Sequence, residues 1–260
     1  MTDPWNPAQY DKFQREREQP FFDLLDTVRP STAMRVVDLG CGTGRLTRLL
    51  HERLGARETI GIDRSAQMLE GQQGQALPPG LRFDVDTIED FPGARGAFDL
   101  IFSNAAFHWV VDHEALLDRL THALAPRGQL AFQVPASHND ISHVVAAELT
   151  TVEPYRTAFN GWRRPQPVLA PAEYAKALYR RGFDDPKVRL IVYPHVLAGP
   201  EAVVEWMKGT LLTEYARHLP AALFEVFVQD YRQRLLERLE QASPFFFPFQ
   251  RILCWGQRSA

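Results

Sequence analysis

Cysteine is scarce in this chain: Cys41 and Cys254 are the only two among 260 residues. Two thiols so far apart give neither a disulfide framework nor a zinc-binding quartet. Long hydrophobic runs are missing as well. Nothing approaches the roughly 18 consecutive apolar residues of a membrane-spanning helix. The opening residues Met1-Thr2-Asp3-Pro4-Trp5-Asn6-Pro7 lack the basic and then apolar order of a secretion signal. Neither sign of charge dominates, since 29 Lys and Arg face 32 Asp and Glu for a net charge of −3. That balance does not imply nucleic-acid binding. The densest basic cluster, Arg15 and Arg17, is interleaved with Glu16 and Glu18 and reads as a solvated helix face. The histidines show no metal-ligand spacing, and no His-Glu-x-x-His occurs, so no metal site is expected. There is no internal repeat, no low-complexity segment and no nucleophile elbow. A cytoplasmic setting with no membrane or nucleic-acid partner is the expectation these absences leave.

What is present is an alternation of short β-branched runs with amphipathic segments. Residues 5–28 read as helical, with Pro20 expected to split them in two. Strands are expected at Arg35–Leu39, Thr59–Ile62, Leu81–Val85, Phe98–Ser103 and Gln129–Val134. Helices are expected at Arg45–Leu54, after a Ser65 cap, and at His113–Ala123. That rhythm predicts an α/β fold with a parallel sheet covered on both faces. Beyond Val134 the rhythm changes. Helices are expected over 139–160, 172–181, 200–218 and 221–240, with strands at Lys187–Val196 and Phe245–Trp255. The last strand should return into the sheet as in a hairpin.

The chemistry concentrates at Val36-Val37-Asp38-Leu39-Gly40-Cys41-Gly42-Thr43-Gly44. A buried strand ends in a turn of alternating glycines, and a helix then starts, its N–H groups directed at whatever sits there. It is not the dinucleotide fingerprint, which needs glycine where Arg45 stands, and no Walker lysine follows. A carboxylate at the entrance, Asp38, repels a pyrophosphate and attracts an ammonium. S-adenosylmethionine, with its α-amino group and sulfonium, fits such a loop. Asp63 closes the second strand, where an acidic side chain accepts from both ribose hydroxyls of a nucleotide. Asp86 or Thr87 could accept from the adenine amino group, and the Ile88 N–H could serve a ring nitrogen. Ser103, Asn104 and Ala105 end the fourth strand with small residues that leave room for a ligand, and His108 nearby is a candidate base.

These residues resemble the motifs of the seven-stranded S-adenosylmethionine-dependent methyltransferases, the first at Val37–Gly44 and the second at Gly61-Ile62-Asp63-x-Ser65-x-x-Met68-Leu69. They add Cys41, Arg64 and Met68 to the cofactor set of Asp38, Gly40, Gly42, Gly44 and Asp63. Over nearly the whole length the chain is similar to the trans-aconitate methyltransferase family. The blocks that carry this are Trp5-Asn6-Pro7-x-x-Tyr10 with Phe13, Arg17 and Pro20, Asn104–His113, Leu130–Pro135 with Ser142-His143, Tyr193-x-His195, and Glu205-Trp206.

The resemblance implies a Rossmann-like, seven-stranded, mostly parallel sheet with helices on both faces and a helical cap. The core would be 30–135 and 183–260, with a helical insertion at about 198–242, and the cap 1–29 and 136–182. It implies methyl transfer to a carboxylate of a small polyacid, with S-adenosylhomocysteine as the other product and Tyr10, Arg17, Trp109, His143, His195 and Trp206 about the acceptor. A carboxylate is ionised near neutral pH and needs no base. Three departures stand out. Leu211-Leu212-Thr213-Glu214 replaces a segment in which the family often carries an arginine, Thr87 stands where aspartate is usual, and His108 where glutamine is frequent. An anionic acceptor would then need Arg17, Arg163, Arg164 or Arg251. A hydroxyl, phenol or amine acceptor is the alternative, and a non-catalytic S-adenosylmethionine-binding regulator the alternative of another class. A monomer or a homodimer is compatible with the chain.

Overall fold

The computed structural model describes residues 14–72, 74–91 and 93–259; the side chains of residues 14–17 lie outside that description. Tyr10 and the Arg17 side chain, two of the acceptor residues the family resemblance implies, therefore fall outside it.

Seven strands form one sheet in the order β3-β2-β1-β4-β5-β7-β6. They are β1 (Arg35–Leu39), β2 (Glu58–Asp63), β3 (Leu81–Val85), β4 (Phe98–Asn104), β5 (Leu124–Pro135), β6 (Phe183–Leu197) and β7 (Phe245–Arg258). The first five pair in parallel, while β7 runs antiparallel between β5 and β6. Alternate residues of the central strands feed opposite faces. Val37, Leu39 and Ile101 join Leu116, Leu120 and Leu178 on one side. Val36, Leu100 and Phe102 join Phe21, Leu24 and Leu50 on the other. Strand order reverses between β1 and β4, so a crevice opens beyond their carboxyl ends.

Past Pro135, β7 no longer pairs with β5, and residues 245–249 pair only with Tyr193 to Leu197 of β6. This hairpin overhang, with Leu197, Phe245, Phe247 and Phe249, is the floor of a third apolar core. The Ile141–Leu149, Tyr155–Phe159, Glu201–Lys208, Leu211–Ala216 and Ala221–Arg238 helices complete that core. Among the described residues no helix is long and apolar enough to cross a membrane.

Three expectations need correction. Pro20 does not end a helix, because Gln14–Leu25 runs through it. Phe21 and Leu24, fully buried beneath that helix, offset the lost backbone bond, about 3 kcal/mol in an exposed helix. The 139–160 segment breaks at Thr150–Pro154, where the Thr150 and Thr151 hydroxyls bond back to Ala147 and Glu148 carbonyls and Pro154 restarts the chain. The 200–218 segment breaks at Gly209-Thr210.

Candidate active site

The glycine loop is fastened to the end of β2. The Gly40 and Cys41 N–H groups both donate to the Ile62 carbonyl, at 2.8 and 2.9 Å. The Gly42 N–H donates to Asp63 Oδ2 at 2.8 Å, and the Ser65 N–H to Asp63 Oδ1 at 2.9 Å. Gly40 is left-handed, with φ +77°, and a Cβ there would overlap the Ala106 Cβ. Gly44, with φ +75°, would place a Cβ 2.6 Å from the Phe83 ring. Glycine thus lets the loop lie against the turn after β4 and against β3.

A cavity opens between these pieces. Gly40, Gly42, Asp63, Arg64, Met68, Asp86, Ile88, Asn104 and Ala105 line it, joined by Glu89, Ala106, Trp109 and Val110. Three carboxylates on its wall suit a ligand with hydroxyls, an amine and a sulfonium. Asp38, Cys41, Gly44, Thr87 and Ser103 are not on that wall. Asp38 lies beneath the loop, 3 % exposed, where Oδ2 accepts from Thr47 Oγ1 at 2.6 Å. Its Oδ1 is buried with no hydrogen-bond partner among the described residues. Thr87 Oγ1 donates to Asp90 Oδ2 at 2.8 Å and accepts from the Asp90 N–H, capping its own turn. Ser103 Oγ donates to the Leu39 carbonyl at 2.8 Å and ties β4 to β1.

A second cavity shares the Asn104, Ala105 and Trp109 wall with the first. It is walled by His108, Ser137, His138, His143, Trp206, Phe249, Arg164 and Arg251, and no Asp or Glu among the described residues lines it. Arg164 lies 5.9 Å above the Trp109 ring, and its Nε has no hydrogen-bond partner among the described residues. Arg251, 4 % exposed, donates from Nη1 to Gln133 Oε1 at 3.0 Å and lies 4.9 Å above Phe249. Burial, reinforced by Arg164 and Arg251, holds His108 well below the usual histidine range. Burial with Arg164 and His138 takes His143 down to about 3. Both rings are neutral at neutral pH, so the cavity's positive charge belongs to the arginines. His108 is consequently a weak base. His195 is buried behind the wall, stacked 5.1 Å from Trp206, whose indole does reach the cavity.

The His108 and Trp109 side chains are presented by a short 3-10 turn, Phe107–Trp109. His113 fixes that turn. Its Nε2–H donates to the Phe107 carbonyl at 2.9 Å, which leaves Nδ1 to accept from the Tyr174 hydroxyl at 2.6 Å.

A family model described as a methyltransferase domain matches residues 36–128. A trans-aconitate 2-methyltransferase of Deinococcus radiodurans is 39% identical over 96% of both chains. One of Streptomyces avermitilis is 35% identical over 98% of this chain and 97% of its own. The chain belongs to the trans-aconitate 2-methyltransferase family. It is an S-adenosylmethionine-dependent methyltransferase. Solved structures show the same fold: YcgJ of Bacillus subtilis has a TM-score of 0.62 at 18% identity, covering 94% of this chain and 99% of its own. Geranyl diphosphate C-methyltransferase of Streptomyces coelicolor, solved with S-adenosyl-L-homocysteine, has a TM-score of 0.56 at 16% identity, covering 96% and 82%.

The buried carboxyl of the enzyme gives a pH-dependent test. Burial, with a contribution from Asp63 and opposed by Thr47, pushes Asp38 from its ordinary 3.8 up to about 7. Below about pH 4 folded and unfolded chains both hold the proton. Between there and 7 the unfolded chain ionises first, so folded stability falls as pH rises through that window. An asparagine side chain at this position cannot ionise. Asp38→Asn is therefore expected to match wild type near pH 4 and to be more stable at pH 8, by a few kcal/mol. Urea melts of the ligand-free enzyme at the two pH values measure the difference. An equal difference at both would show that Asp38 does not titrate in this window.

Among the described residues no cluster of His, Cys, Asp or Glu is arranged to hold a metal ion. The cations of the second cavity that the sequence leaves unsorted are Arg164 and Arg251. Arg251 carries a usable signal, a lone cation in the apolar aromatic run 245–255.

Proposed function

We propose that the enzyme methylates a carboxylate of a small polycarboxylate of the trans-aconitate type. Opposite charge in two adjoining cavities carries this reading: carboxylates line one, and two arginines with no acid among the described residues line the other. The name shared by the relatives supports it. Bound in the acid-lined cavity, S-adenosylmethionine supplies an electrophilic methyl group on its sulfonium. Asp63 and Asp86 face that ligand, with the Ile88 segment beside them, and the glycine loop brings backbone close to it. Arg164 and Arg251 hold the acceptor's carboxylates by charge-assisted bonds. Trp109, Trp206 and Phe249 exclude water, so alignment and desolvation are the contributions asked of the protein. No base is needed, which agrees with the depressed basicity of His108 and His143. We assign the core to 30–135 and 183–260, with the helical insertion at about 198–242 packed on the Ile141–Phe159 helices of a cap at 136–182; among the described residues, Phe21, Leu24 and Leu178 pack on the sheet and not in that cap.

The test is turnover to S-adenosylhomocysteine with trans-aconitate, monocarboxylates, phenols and amines, with methyl esters identified by mass spectrometry. Esters of polycarboxylates are expected. Methylation of a phenol or an amine with no ester from any acid would overturn the reading.

A further inference from the structure

The wall between the two cavities has a polarity that neighbouring strands impose. In the parallel β4–β5 pair, Asn104 stands opposite Gln133. In the antiparallel β5–β7 pair, Gln133 stands opposite Leu253 and Pro135 opposite Arg251, which makes Gln133 and Arg251 diagonal neighbours on one face. Three polar side chains thus run in a row across β4, β5 and β7. Gln133 is fully buried in the middle and lines neither of the two cavities. Its main-chain carbonyl also accepts from the Ala105 N–H at 3.0 Å, which fixes the two strand ends together.

The direction of the row follows from donor chemistry. A guanidinium has N–H donors and no acceptor, so Arg251 can meet only Gln133 Oε1, and it does, at 3.0 Å. That commits the Gln133 amide nitrogen to the other side, where Nε2 donates to Asn104 Oδ1 at 2.6 Å. Because that bond holds the Asn104 oxygen on the Gln133 side, the group Asn104 turns away from β5, toward the cavities it lines, is its NH2. The orientation of an amide is ordinarily ambiguous, but here a donor-only group at one end settles it along the whole row.

We propose that Arg251, Gln133 and Asn104 form a one-way relay that makes Asn104 a hydrogen-bond donor at the junction of the cavities, selecting an anionic oxygen there and rejecting an ammonium. Gln133 is a positioning residue, acting through Asn104. The proposal rests on the carboxylate reading above and deepens it, because it explains how the site separates O-acceptors from N-acceptors. An asparagine turned the other way would present a carbonyl oxygen, the group an amine needs. Arg251 then has two tasks, attracting the acceptor's charge and setting the amide that receives it.

Two ligands of matched length test this: glutarate, and 5-aminovalerate, in which an aminomethyl group replaces one carboxylate. Calorimetry with the enzyme saturated in S-adenosylhomocysteine gives both affinities without requiring turnover. Wild type is expected to prefer glutarate by at least 20-fold. Gln133→Met, of similar volume and uncharged, frees Asn104 to rotate and should cut that preference at least fivefold, with affinity for S-adenosylhomocysteine within threefold of wild type. Gln133→Glu keeps the Arg251 contact but presents only acceptors to Asn104, turns it, and should cut the preference further; it decides the matter if the methionine variant does not fold. A structural defect alone would weaken both ligands alike. An unchanged ratio in a folded variant overturns the relay while leaving the carboxylate reading intact. Wild-type turnover of no polycarboxylate overturns that reading, and the relay's role with it.

Discussion

Arg251→Met lowers kcat/KM for a polycarboxylate acceptor by about 10²- to 10³-fold and leaves cofactor affinity within about twofold; this is the largest effect expected of a single acceptor-site substitution. Methionine keeps most of the packing against Phe249 and removes only charge and donors. Losing one partner of a buried charge-assisted bond costs about 2–5 kcal/mol, and each 1.4 kcal/mol is tenfold. Arg164→Met should act on the acceptor in the same direction, but the two differ in the ligand-free enzyme. Removing Arg251 deprives Gln133 Oε1 of its donor, which costs about 1–3 kcal/mol of stability. Arg164 Nε has no such bond among the described residues, so its replacement should leave stability unchanged or raise it. Steady-state kinetics, calorimetry with S-adenosylhomocysteine and urea melts separate these effects. Wild-type kinetics in both variants would mean that neither arginine holds the acceptor.

Gly40→Ala is expected to destabilise the fold by about 2–5 kcal/mol and to weaken cofactor binding at least about 100-fold. The left-handed backbone accounts for about 1–2 kcal/mol. Overlap with the Ala106 Cβ, which neither strand end can relieve without moving a cavity wall, accounts for about 1–3 kcal/mol. Gly42→Ala is the control. It carries comparable strain at φ +57°, but its nearest neighbour is the flexible end of Met68 at 3.5 Å. Only the first contribution applies there. Urea melts and calorimetry on both variants measure the difference; equal losses would show that the Gly40–Ala106 approach does not shape the cavity.

The acid-lined cavity, proposed for the cofactor, is readable in the sequence because it is local. Strand, glycine turn and acidic strand end follow each other along the chain, and Gly40, Gly42, Asp63, Asp86, Ile88 and Asn104 meet around one cavity. The exceptions are instructive. Sequence alone has Asp38 facing a cation, yet the strand turns it under the loop toward Thr47, a direction that composition cannot reveal. Sequence alone leaves Asp86 or Thr87 to face adenine, but the Thr87 hydroxyl is committed to Asp90, in competition between a local turn and a ligand. The neighbouring cavity, proposed for the acceptor, is harder because it is assembled from distant pieces. Arg251 reaches it only because β7 slots between β5 and β6 and stops pairing with β5 there, a register that strand patterns do not encode. The Leu211–Glu214 segment suggests a missing cation, whereas two arrive from other elements. His195 belongs to the packing behind Trp206. The helix breaks near Thr150 and Gly209 are hidden by apolar spacing that continues across them.

The shared wall also divides the chain by position. The walls of the acid-lined cavity come from Gly40 to Val110, whereas those of its neighbour come from Asn104 to Arg251, and only Asn104, Ala105 and Trp109 belong to both. Substitutions in the 164–168 and 206–211 stretches can therefore reshape the cavity proposed for the acceptor without touching a residue of the acid-lined one. Lineages descended from such a scaffold can diverge in what they methylate while the methyl donor stays the same, with Asn104 and its buried partners as the hinge point that constrains both.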